Sequence, residues 1–169
     1  MPRKDLRLRQ EGSLLPVDLG ENLTRLLEKE TELYRSLGDS ISREETAVDA
    51  IDMESLLLIL QEKQSIIAAQ EKIFDEWESI SKILSVESGR ESDAFWNAVE
   101  SAVGVEKYSR IRCSVSDMKS LALELLQKEK DVQSKLENVV SDLRKQMMAM
   151  QKGRKAVQGY SRSAGTVKP

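Results

Sequence analysis

Five polar residues interrupt otherwise apolar helical stripes, and they are the places where this chain could do chemistry: Glu30, Glu44, Lys63, Gln70 and Glu129. Carboxylates inside helical bundles hold metal ions, and the usual di-iron arrangement draws on Glu-x-x-His pairs. The chain contains no histidine. That removes both the commonest transition-metal ligand and the commonest general base. Its serines therefore lack an obvious activating base. The sequence also lacks Gly-x-x-x-x-Gly-Lys, Gly-x-Gly-x-x-Gly and Cys-x-x-Cys, the spacings that cradle phosphates or run thiol redox chemistry. The five read instead as register-setting or flanking residues, paired between helices. One pairing is specific: in an antiparallel hairpin turning near Asp52, Glu44 and Lys63 fall within about one turn of each other. No catalytic residue, cofactor or metal is expected. The single Cys113 reads as a small, partly buried helical residue, and a lone cysteine suits a reducing compartment.

The stripes themselves define the elements. Leu23, Leu26, Glu30, Leu33, Leu37, Ile41, Glu44, Val48 and Ile51 alternate in steps of three and four, the period of a helix burying one narrow seam. Asp18 and Glu21 have capping-box spacing at its start. Gly38 weakens the helix without breaking the phase of the seam, so a continuous helix with room for a kink is expected. Asp52 is placed to cap a second helix with the stripe Leu56, Leu60 (with Ile59), Lys63, Ile67 (with Ile66), Gln70, Phe74 (with Ile73), Trp77, Ile80 and Leu84. The connection near Ile51 is short, which favours an antiparallel hairpin. Residues 85–93 read as a solvated loop. Phe95, Trp96, Val99 and Val103 then fit a short amphipathic helix ending at Gly104, with the two aromatics as a packed plug. A last, longest helix carries Tyr108, Ile111, Val115, Met118, Ala122, Leu125, Glu129, Val132, Leu136, Val139, Leu143, Met147 and Met150. The expected fold is all-α, an elongated antiparallel helical bundle or coiled coil of three long helices plus one short helix.

Composition agrees. Of 169 residues, 33% are charged and 4% aromatic, which leans toward long helices and away from sheets. The longest apolar run is Leu56 to Leu60, far short of the roughly 20 residues a membrane span needs. The charged N-terminus lacks a signal-peptide core. A cytoplasmic protein without membrane insertion is expected. The organisation expected is a flexible N-terminal arm over 1–16, a helical domain over 17–152 and a basic flexible tail over 153–169. That tail holds Lys152 at its edge, Arg154, Lys155, Arg162 and Lys168 with no acid. The net charge of −3 therefore hides an acidic body, which argues against nucleic acid and for an acidic partner at the tail.

The last helix is too long for the hairpin it packs on. Part of it should overhang, leaving an apolar stripe of Val132, Leu136, Val139, Val140, Leu143, Met147, Met148 and Met150 for a partner helix. Methionine, pliable and polarizable, suits such a surface. The competing reading is a coiled-coil structural or scaffold protein that homodimerises along this C-terminal helix.

Three stretches carry a resemblance. Glu28-Lys-Glu-Thr-Glu-Leu-Tyr-Arg-Ser-Leu37, Glu44-Glu-Thr-Ala-Val-Asp-Ala-Ile-Asp52 and Leu56-Leu-Leu-Ile-Leu-Gln-Glu-Lys-Gln64 resemble the FlgN family of flagellar type III export chaperones. The ending Lys152-Gly-Arg-Lys-Ala-Val-Gln-Gly-Tyr160 is similar to the tail that follows that family's last helix. The resemblance implies a helical chaperone without catalytic activity, a monomer or weak dimer. It would bind the C-terminal amphipathic helices of hook–filament junction proteins of the FlgK and FlgL kind, prevent their premature assembly, and deliver them to an export gate protein of the FlhA kind. It implies gate docking by a C-terminal tyrosine, for which Tyr160 stands by position, with Arg154 and Lys155 beside it.

Overall fold

The computed structural model describes residues 16–164, omitting the side chains of 16–18, 156 and 158–164. It is all-α, with four helices and, among the described residues, no strand: α1 (Pro16–Ala50), α2 (Met53–Ile83), α3 (Asp93–Val103) and α4 (Val105–Ala164). Three are long and one is short, as the stripes require.

The helix ends follow from local chemistry. Proline at the first helical position costs no hydrogen bond, and its fixed φ suits the first turn. α1 accordingly opens at Pro16, so Asp18 lies inside the first turn instead of capping it. The remainder of the expected arm, residues 1–15, lies outside the described residues. α1 ends in a Schellman motif: the Ile51 N–H donates to Val48 O at 3.1 Å and the Asp52 N–H to Ala47 O at 2.9 Å, with Ile51 at φ 55°. Asp52 then caps α2 as expected, its Oδ1 accepting from the Ser55 N–H at 3.1 Å. α2 closes the same way at Ser85 (φ 54°), where the Val86 N–H reaches Ser81 O at 3.0 Å. Ser92 caps α3 by accepting from the Phe95 N–H at 3.2 Å, and Gly104 separates α3 from α4 at φ 82°.

α1 runs unbroken through Gly38. A Cβ there would stand 2.9 Å from Leu125 Cδ2, so the glycine lets α4 approach α1 closely. α4 likewise continues through Gly153 and Gly159 to Ala164. The basic tail expected to be flexible from 153 is thus helical over 153–164, while 165–169 lie outside the described residues. A lone glycine costs a helix about 1 kcal/mol. Strong helix formers on both sides of Gly153 (Ala149, Met150, Gln151, Lys152 and Arg154, Lys155, Ala156) offset it.

The described chain divides into two compact units, each built from parts of α1, α2 and α4. The first comprises residues 16–37 and 64–123. Its core holds Leu19, Leu23, Leu26 and Leu27 of α1, Ile73, Trp77 and Ile80 of α2, Phe95, Trp96 and Val99 of α3, and Ile111, Val115 and Met118 of α4. The three aromatic rings meet edge to face, with centroids 5.1–6.4 Å apart, the arrangement their quadrupoles favour. Phe95 and Trp96 are therefore core, as expected. The second unit comprises residues 38–63 and 124–164, with Ile41, Ala47, Val48, Leu56, Ile59, Leu125 and Val132 buried.

Candidate helix-docking site

All five polar seam residues find partners. In the first unit, Glu30 is fully buried. Its carboxylate accepts two hydrogen bonds from Arg90, at 2.7 and 2.9 Å, and one from Trp77 Nε1 at 2.9 Å. Gln70 Nε2 donates to Tyr34 Oη at 3.1 Å. In the second unit, Lys63 joins Glu44, as the hairpin register required, and also donates to both oxygens of Glu129 at 2.7 Å. Burial opposes the Lys63 charge, but the hydrogen bonds to Glu129 and Glu44 outweigh it and hold its pKa above the usual lysine value. The space between the carboxylates is thus filled by an ammonium. Among the described residues no cluster of His, Cys, Asp and Glu could hold a metal ion.

Arg90 was hidden in the loop read as solvated. Its guanidinium lies 4.9 Å from the Trp77 ring centroid, and its carbonyl accepts from Trp96 Nε1 at 2.7 Å. The one available signal was the unmatched Glu30, which needs a cation once buried. Burial also corrects three apolar assignments. α2 buries Ile59 and Ile73 and leaves Leu60, Ile67 and Phe74 exposed. Cys113 is exposed rather than partly buried.

The C-terminal part of α4 in the second unit is also uncovered. Here α4 runs parallel to α1, with Leu125 against Gly38 and Lys135 paired to Glu45 at 2.5 Å and Asp49 at 3.5 Å. Asp49 is almost the last residue of α1, so the hairpin ends near the level of Lys135. The expected groove residues divide accordingly. Val132 is 3% exposed, which makes it core and removes it from any docking surface. Leu136 and Val139 are half-buried. Val140 and Leu143 are 38% and 37% exposed, while Met147, Met148 and Met150 exceed half exposure. Every residue with a described side chain from Val140 to Val157 is exposed, over a helical length of about 26 Å.

Except at Arg154, an apolar residue stands at each step of a coiled-coil register that begins at the half-buried Leu136. Leu136, Val140, Leu143, Met147, Met150, Arg154 and Val157 follow one another in steps of four and three, which places Val140, Met147 and Arg154 at a positions and the others at d. The buried Leu125 and Val132 fall at g positions of this register, beside the a/d line and on the same side of the helix. Met148 falls outside the register, on another face of the helix. Arg154 lies in the seam itself. Lys155 is exposed beside it, and Tyr160 lies within α4, its side chain outside the described residues.

Fold and site define an all-helical protein whose longest helix carries an uncovered coiled-coil seam. No helix among the described residues is long and apolar enough to cross a membrane. A family model described as FlgN protein matches residues 19–168, and the chain belongs to the FlgN family. Membership supports a general role as a flagellar export chaperone, in a family of chaperones and not of enzymes. Comparisons with curated proteins and with solved structures gave no match.

Proposed function

We propose that this protein captures the C-terminal amphipathic helices of hook–filament junction proteins of the FlgK and FlgL kind in the cytoplasm. It shields them from premature assembly and hands them to an FlhA-like export gate. The observation that carries this reading is the seam from Val140 to Val157, exposed at every described side chain on a helix that continues past its own hairpin. An apolar stripe at a/d spacing is what a second amphipathic helix recognises. Leu136 and Val139, half-buried at the hairpin end, form the inner edge of the site. Met148 offers a contact to one side.

Lys155 and Tyr160 are assigned to gate docking, at the far end of α4. Arg154 belongs with the seam through its a position, which separates it from the gate-docking pair.

The test is capture of a synthetic C-terminal peptide of a junction protein by the full chain, followed by fluorescence anisotropy. Leu143→Asp and Met147→Asp should abolish capture while the circular dichroism of the protein stays native. Retained capture by both variants overturns the site. Substituting Tyr160→Ala should spare peptide capture and reduce export of the cargo; loss of capture instead would reject this division of α4.

A further inference from the structure

We infer that the occupant of the α4 seam is an acidic amphipathic helix of another protein, docked as the second strand of a short coiled coil with a carboxylate facing Arg154. This inference rests on the docking reading of α4 and adds the chemistry of the partner. Between Val140 and Val157 the helix carries Arg144, Lys145, Lys152, Arg154 and Lys155 against a single acid, Asp142, which pairs with Lys145 at 3.0 Å. In the a/d register, Arg144 stands at e beside the seam and Arg154 within it, while Lys145, Lys152 and Lys155 stand at f and b, away from the contact. The two arginines attract a helix bearing Glu and Asp beside its apolar stripe and repel a basic one. Arg154 sharpens the demand. A guanidinium at an a position is desolvated by a partner strand and is tolerated when a carboxylate meets it through paired hydrogen bonds.

The same helix already uses this chemistry where it is covered. Lys135 pairs with Glu45 and Asp49 of the hairpin, and Lys63 of α2 draws in Glu129 of α4. The docked helix would extend that covered interface along the same side of the helix.

Charge also argues against the occupants this chain could supply. A second copy in parallel register would set Arg154 against Arg154, and like charges facing each other across a seam are destabilising. Residues 1–15 hold Arg3, Lys4, Arg7 and Arg9 against Asp5 and Glu11, and residues 165–169 hold Lys168 and no acid. Both segments carry the wrong sign.

Two designed helices of about four heptads, with Leu at a and d and either Glu or Lys at e and g, serve as probes. Each repels itself at neutral pH, so neither is lost to self-association. The full chain should bind the Glu probe at least about tenfold more tightly than the Lys probe. That preference should shrink when salt is raised from about 0.1 M to about 0.5 M. The variant R144E/R154E should invert it, and M147D should remove binding of both. Equal binding of the two probes overturns the charge inference while leaving the docking site standing. Binding of neither overturns the docking site as well. A wild-type dimer in sedimentation that M147D renders monomeric identifies a second copy as the occupant and overturns the inference by another route. The two-probe comparison uses the unmodified chain, so the outcome does not depend on a variant folding.

Discussion

Arg90 grips Glu30 through two parallel hydrogen bonds, 2.7 and 2.9 Å long, across 60 residues of sequence. The carboxylate is fully buried and the Arg90 side chain is 18% exposed. Removing one member of a buried pair leaves the other charge stranded, which costs about 3–5 kcal/mol. Arg90→Met should therefore destabilise the first unit by that order. Arg90→Lys should recover only part of the loss, because an ammonium cannot make the fork. Glu30→Gln with Arg90→Met should recover more than either single change suggests. Urea unfolding followed by tryptophan fluorescence reads this directly, since both tryptophans, Trp77 and Trp96, belong to this core.

Lys63 gives a pH signature. Its pKa is raised above 10.5 in the folded chain, so its stabilising contribution is complete below the unfolded value and is lost as pH climbs through the folded one. Lys63→Met should cost roughly 3 kcal/mol at neutral pH. The cost lies mainly with Glu44, whose side chain is 8% exposed, because Glu129 at 42% is screened by water. The gap between wild type and Lys63→Met should narrow above about pH 10.5. Denaturant titrations by circular dichroism at neutral and alkaline pH provide the comparison; a gap that widens in alkali contradicts the linkage.

Ile51 is a β-branched residue held at φ 55°, a conformation that costs an L-residue about 1–2 kcal/mol. Its side chain is half exposed, so little packing is lost by removing it. Ile51→Gly should raise stability by about 1 kcal/mol after the added freedom of the unfolded chain is set against the relief, and the melting temperature should rise by about 2–4 °C. Ile51→Val should bring no gain.

Val132 and Met147 share a face of α4 but should answer the same substitution differently. Val132→Asp places an unpaired charge in the second core and should cost roughly 3 kcal/mol or more. Met147→Asp lies on exposed surface and should stay within about 0.5 kcal/mol of wild type, while abolishing capture of a partner helix. Equal destabilisation by the two would show that the seam beyond Val140 is covered in solution.

Much of this protein was legible in its sequence. Spacings of three and four located the helices, because one buried face demands that period wherever a helix packs. Asp52 announced a cap and Glu44–Lys63 announced a pair, because a hairpin turning at Asp52 brings those positions together whatever surrounds them. The family resemblance was legible as well, since it resides in contiguous stretches. The uncovered seam could be expected from helix lengths alone, though its inner boundary could not. Only the packing of α4 on the hairpin decided that Val132 is core and Val140 is surface.

Tertiary structure decided the matters that local pattern leaves degenerate. Ile59 and Leu60, Ile66 and Ile67, and Ile73 and Phe74 are adjacent apolar pairs about 100° apart on the helix, so hydrophobicity cannot say which member turns inward. The contacts chose Ile59 and Ile73 and left Leu60, Ile67 and Phe74 to solvent. Arg90 looked like one more charge in a polar loop until the fold brought it to Glu30, because the energy of a buried pair depends on a meeting that sequence separation does not encode. Gly38 and Gly153 carry the same local propensity. One lies under Leu125 and the other faces open space, a distinction made by neighbours alone.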